Sequence, residues 1–283
     1  MSLRFAPSTL AVAFIAALSL VAIPACKKPK KPAEPDSPTP TPPPGPSFSN
    51  PNPGSNTGGR DPEAPRSPVF GTSDPRTAAM RQIAENNLKQ ILLALHNYHD
   101  TYGGLPAGFA DQSGKPGLSW RVAILPFLEH DTLYRQFKLD EPWDSPNNKA
   151  LISQMPPVYA PPRESTRGYT FYRGFTGPNT WLPPQQQPGR AGQPLFGVKL
   201  FQISDGTSNT ILVAEAYDPV IWTKPDELQF TPGNPPRLGG VFASGFCAGM
   251  ADTSVKFVRP GIDSKTLSNA IQINDGNAVN LDQ

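Results

Sequence analysis

The sequence predicts an α+β domain carried on a disordered proline-rich tether. Three observations support this. An apolar period of about 3.6 residues runs through Arg76–Tyr102, the mark of one helix face. Brief β-prone runs split by Gly and Pro fill the second half, and the two kinds of segment do not alternate as βαβ units would. Upstream, 15 of the chain's 37 prolines fall in the 49 residues Lys27–Pro75, a stretch that cannot bury a core.

The chain opens with Arg4 and an apolar run, Leu10–Ile23. That run falls short of the roughly 20 residues needed to cross a bilayer, so residues 1–25 read as a signal peptide. Ile23-Pro24-Ala25-Cys26 resembles the lipobox of bacterial lipoproteins, with Pro24 in place of the usual small residue. In that family the peptide is cut before the cysteine and the thiol is diacylated, which makes Cys26 the expected lipidation site. The only other cysteine is Cys247. The alternatives are a Cys26–Cys247 bridge in an ordinary secreted protein, or two free thiols. Residues 26–75 then form the anchored linker. In extended polyproline form, at about 3.1 Å per residue, it reaches on the order of 100 Å. Lys27, Lys28, Lys30 and Lys31 either lie against anionic headgroups or are a solvated charge run.

Residues 76–283 form the globular domain. Met80, Ala84, Leu88, Ile91, Leu95, Tyr98 and Tyr102 mark one stripe of the first helix. Ser73 or Asp74 can cap its start, and Gly103-Gly104 stop it. Leu118–Phe137 reads as an extended apolar piece broken by Pro126 and followed by a short helix; Asn147–Gln154 is another short helix. Strands are expected at Tyr169–Tyr172, Leu200–Ile203, Thr210–Ala214 and Ser254–Val258. No internal repeat is visible. Net charge is only +2, which argues against a nucleic-acid partner held by a basic surface.

Several strings together resemble one bacterial family. They are Asn87-Leu88-Lys89-Gln90, Leu95–Asp100, Gly104-Leu105-Pro106, Leu118-Ser119-Trp120-Arg121-Val122, Leu125–Glu129, Leu133-Tyr134, Glu141–Ser145, Asn148-Lys149, Asp205–Thr210 with Glu215, and Trp222–Pro225. In chain order they are similar to domain of unknown function 1559, expanded in planctomycetes and also filed as putative solute-binding proteins. Many relatives carry a prepilin leader, so the resemblance implies a pilin- or pseudopilin-head-like fold: the long helix packed on a small, mainly antiparallel sheet. This chain has no Gly-Phe-Thr-Leu-Ile-Glu prepilin run, so assembly through an N-terminal helix is not implied. The family's late Ala-Asp-Gly-Ser-Val turn is Ala251-Asp252-Thr253-Ser254-Val255 here. A threonine at that position argues against a left-handed backbone requirement. Phe242 stands where many relatives have a histidine.

No residue pattern names a reaction. His96 and His99 share a helical face, but the remaining histidine, His130, lies in no metal motif with them; packing is the expected role. Asp205–Thr210 and Asn274–Asn277 offer turn-closing side chains or, on the analogy of pseudopilin heads, oxygen ligands for calcium, without EF-hand spacing. Asp140, Glu141, Asp144, Glu215 and Asp218 carry no spacing that pairs an acid with a base. Cys247 reads as a small buried residue. Trp120 and Trp143 are expected in the core. Trp181 and Trp222, in proline-rich loops, either anchor those loops or face a ligand together with Asp205 and Asn209.

The expected function is a non-catalytic, lipid-anchored protein of the cell envelope with a structural or interaction role. No catalytic residue, cofactor or metal is assigned. Its partners are the membrane through lipid on Cys26 and an envelope protein or glycan. The alternative is a solute- or glycan-binding lipoprotein, and the third an extracytoplasmic hydrolase. Inward-packed loop aromatics on a flat surface favour the first; a concave pocket lined by them favours the second.

Overall fold

The computed structural model describes residues 75–162, 167–182, 184, 188–277, 279 and 281. The leader, Cys26, the tether and the expected helix caps Ser73 and Asp74 lie outside them. Helix α1, Pro75–Tyr102, is the long helix expected. Gly103, at φ 80°, donates its N–H to the His99 carbonyl and ends the helix in the left-handed cap that only glycine adopts without strain. Ala84, Leu88, Ile91, Leu95 and Tyr98 of the apolar stripe are buried, and Leu92 and Ala94 join them. The buried face is wider than one stripe because α1 is flanked on two sides.

Under one side lies a four-stranded antiparallel sheet, ordered β3 (Tyr169–Arg173), β6 (Ile211–Ile221), β8 (Phe246–Met250), β9 (Val255–Val258). Ile211–Ala216 in β6 is buried throughout, the continuous apolar pattern of a strand covered on both faces. Leu212, Val213 and Cys247 pack with α1; Ala214, Ala248 and Met250 pack with helix α5, Ser264–Ile271, on the other side. The result is a helix–sheet–helix sandwich. Leu92 seats directly on the backbone of Gly249, where an added Cβ would stand 2.8 Å from Leu92 Cδ1.

Along the other flank of α1 run short elements: β1 (Pro106–Ala110), β2 (Pro116–Leu118), α2 (Trp120–Ala123), a 3-10 turn (Leu125–Leu128), α3 (Asp131–Tyr134) and α4 (Pro146–Leu151). Strand β5, Pro194–Phe196, completes a three-stranded antiparallel sheet ordered β2-β1-β5. A two-residue parallel pair joins β4 (Phe175–Thr176) to β7 (Leu228–Gln229). Among the described residues no helix is long and apolar enough to cross a membrane.

Local readings differ from the structure in several places, and the short strands β1, β2, β4, β5 and β7 were not expected. Leu118–Leu128 is mostly helical rather than extended, because Ser119 accepts the Arg121 N–H and starts a turn. Leu200–Gln202 is a 3-10 turn with Phe201 80% exposed, not a strand. Strand β8 and helix α5 have no counterpart in the sequence reading: Cys, Ala and Gly have little intrinsic strand preference, and α5 is only eight residues long.

Candidate functional site

The Ser119-Trp120-Arg121 string builds the most connected polar cluster. Ser119 donates its backbone N–H to the Thr223 carbonyl and caps α2 with its hydroxyl. This places Arg121 entirely inside the protein, at 0% exposure. Its guanidinium meets Glu227 at 2.9 and 3.1 Å, donates from Nε to the Tyr172 carbonyl at 2.9 Å, and donates to Ser119 Oγ at 2.7 Å. Glu227 also accepts the Gly174 N–H at 2.6 Å. The pair therefore clips α2 to the ends of β3 and β7. With both charges matched and their lone pairs used, the cluster is structural rather than reactive. Glu227 carries no signal in the sequence, since it stands 106 positions from Arg121.

Of the two roles open to Trp181 and Trp222, anchoring their loops or facing a ligand, burial favours the first. Trp181 and Trp222 are both 0% exposed. Trp181 donates to the Leu212 carbonyl at 2.5 Å and packs edge-on to Trp120. Trp222 donates to the Ile152 carbonyl at 3.0 Å, stacks on Tyr159 and meets Phe137 edge-on. Their indole N–H groups bond carbonyls of strand β6 and of the 3-10 turn Ile152–Gln154, so the rings anchor the loops that carry them. Trp120 is in the core as expected, whereas Trp143 is half-buried, with Lys224 5.9 Å from its ring centre.

Asp205 and Asn209 do not face a common site with the tryptophans. Asp205 Oδ2 accepts the Asp275 N–H at 2.5 Å and Oδ1 the Gly276 N–H at 2.8 Å. Asn209 donates to the Asp205 carbonyl, closing the loop around Gly206 at φ 97°. The structure thus brings together the two polar strings that the sequence keeps 70 residues apart. It brings them together as carboxylate on amide, a clasp for the C-terminal segment, and both Asp205 oxygens point at donors rather than at a cation. Among the described residues no three His, Cys, Asp or Glu side chains gather as metal ligands.

The histidines are also tied internally. His96 Nε2 donates to the Ala251 carbonyl at 2.8 Å, and His99 Nε2 accepts the Leu200 N–H at 3.3 Å. Thr253 has φ 72°, so the left-handed backbone is retained without the glycine, contrary to the reading from its residue type. It follows a turn closed by its own N–H on the Met250 carbonyl, the hairpin geometry that places a left-handed residue before the second strand. Phe242 is buried and packs edge-on to Phe257.

Among the described carboxylates, Glu215 is the one with no exposed surface. Desolvation pushes its pKa up to about 7, against the lowering effect of Cys247, whose N–H Oε2 accepts at 2.7 Å. Burial also raises the Cys247 thiol, with Glu215 adding to the shift, so the thiol stays protonated and inert as a nucleophile.

The surface also carries an aromatic group. Tyr102 is 55% and Phe196 41% exposed. They sit around Tyr98, with ring centres 4.5 and 6.3 Å from it, and Phe127 stands edge-on to Tyr102 at 6.3 Å. The helical stripe assigns Tyr102 to the core, but Gly103 ends α1 before any described element covers that turn. Nothing in the local sequence marks Phe127 and Phe196 as its neighbours.

Comparison with curated proteins and with solved structures finds no match. The family model described as a protein of unknown function (DUF1559) matches residues 73–235. That span covers α1 to α4, both smaller sheets and strands β3 and β6 of the four-stranded sheet, and it takes in more than half of the chain, which therefore belongs to the DUF1559 family.

Proposed function

We propose that this protein is a non-catalytic, lipid-anchored envelope protein that works by presenting the globular head to a partner. The observation that carries the reading is the distribution of chemistry in the head. Several polar groups of its characteristic strings are spent on internal bonds, as in Arg121–Glu227 and the Asp205 clasp, while aromatic rings are left partly outside at Tyr102 and Phe196. Rings that are rigid, amphipathic and partly exposed suit a protein–protein contact. The solute- or glycan-binding reading placed Trp181, Trp222 and the Asp205–Thr210 loop near a ligand; the burial of both rings favours the interaction reading over it. For the anchor, support comes from Cys26 directly after an apolar leader run and from Cys247 being a buried free thiol.

Metabolic labelling with a fatty acid, followed by cell fractionation, tests the anchor. Wild-type protein should be labelled and membrane-bound, and Cys26→Ser unlabelled. An unlabelled wild type, or a Cys26–Cys247 disulfide found by mass spectrometry, would overturn it. A photo-crosslinking residue at position 102, in the same cells, tests the contact: an adduct with an envelope protein supports the reading, and no adduct there opposes it.

A further inference from the structure

The least explained group in the head is Glu215. Strand β6 pairs with β8 up to Ala214↔Ala248 and then leaves it, bridging to Leu238 at Ala216. The Glu215 carbonyl accepts the Gly239 N–H on that new side. The Cys247 N–H is taken up by the Glu215 side chain instead, through Oε2. The other oxygen, Oε1, is buried without a hydrogen-bond partner. A protonated carboxyl tolerates this site; an ionised one is left half solvated by protein and not at all by water.

Among the described residues, the surroundings offer an ionised Glu215 no cation. Across β3 it faces Tyr172 and across β8 Cys247, both held protonated by burial. Of the charged groups on α1, Glu85 opposes ionisation and Arg81 pairs with Glu85 at 2.8 Å and lies over the Phe257 ring, while Lys89 and Asp100 are exposed. His96, further along α1, is spent on the Ala251 carbonyl. On β9, Lys256 pairs with Ala248, next to Cys247 along β8, and so lies on the opposite face; Lys265 of α5 is exposed there. The site can reach water most easily by moving α1. β3 is tied to β6 by a ladder, whereas the N-terminal half of α1 borders an open groove of about 580 Å³ between Met80, Ile83 and Asn87 and the segment Pro157–Pro162.

We propose that Glu215 is a proton-operated latch for helix α1: protonated, it lets the helix seat flat on the sheet; ionised, it loosens the N-terminal half of the helix toward the groove. The sign follows from the site. Burial raises Glu215 in the folded state from the ordinary 4.5 to about 7. Its contribution is therefore fully present below the unfolded value, declines between the two, and is lost as pH rises through about 7.

The test is amide hydrogen exchange of the full chain, corrected for intrinsic rates, together with pH-difference infrared spectra. In the window between those two values, protection of α1 amides from Met80 to Leu88 should fall by up to about tenfold per pH unit in wild type. Glu215→Gln, neutral at every pH, should abolish that dependence. An equal pH dependence in wild type and variant, or a loss spread evenly over α1, the sheet and α5, overturns the latch. Should the variant not fold, wild type alone decides: a protonated-carboxyl band whose midpoint coincides with the pH at which the fall in α1 protection levels off supports the latch, and its absence throughout overturns it.

Discussion

Removing Glu227 while leaving Arg121 should be among the most damaging single changes in the head. Arg121 is wholly buried and Glu227 9% exposed, so Glu227→Leu leaves a guanidinium in the core with no counter-charge. Breaking a buried pair in this way costs about 3–5 kcal/mol. For a domain of roughly 200 residues each kcal/mol lowers Tm by about 2–4 °C, so the fall should be on the order of 10–15 °C. The double variant Arg121→Met/Glu227→Leu removes the stranded charge. It should recover part of the loss, though not all of it, because the Gly174 N–H and the Tyr172 carbonyl lose partners worth about 1–3 kcal/mol each. Thermal unfolding of wild type, both single variants and the double variant completes the cycle. Additive single effects under about 1 kcal/mol each would falsify the claim that the pair organises the junction of α2, β3 and β7.

Two further changes test separate features. Thr253→Gly should stabilise the head by about 0.5–1 kcal/mol, since it relieves a β-branched residue at positive φ at the cost of a more flexible unfolded chain; chemical denaturation showing a loss would mean that the threonine side chain matters more than its backbone. Asp205→Ala should free the Asp275 and Gly276 amides, raising their hydrogen exchange and lowering stability by about 1–2 kcal/mol, while α1 protection stays unchanged.

Helix α1 was legible because its evidence is local: apolar residues at helical spacing and a glycine pair at the end predict its span almost to the residue. Strands β3 and β9 were legible for the same reason. What the residues could not announce was the wider buried face of α1, because Leu92 is buried by Gly249, far along the chain and in a strand of poor intrinsic preference. Tyr102 shows the converse, a stripe position left exposed because no described element covers it.

The site residues divide in the same way. Sequence alone determined which side chains were chemically capable: the acids, the histidines, the indoles and the two cysteines. Tertiary structure decided which were spent and which were free. Trp181 and Trp222, lying among prolines, could anchor loops or face a ligand, and loop residues become core when their N–H groups meet carbonyls from distant segments. Arg121 is buried on a partner, Glu227, that comes from 106 positions away. Glu215 was one of five acids with no informative spacing, and only the folded chain buries it completely. The physical reason is common to all of them. A side chain's chemistry is written in its own atoms, but its charge state and availability depend on desolvation and partners, and those come from contacts that span the whole fold.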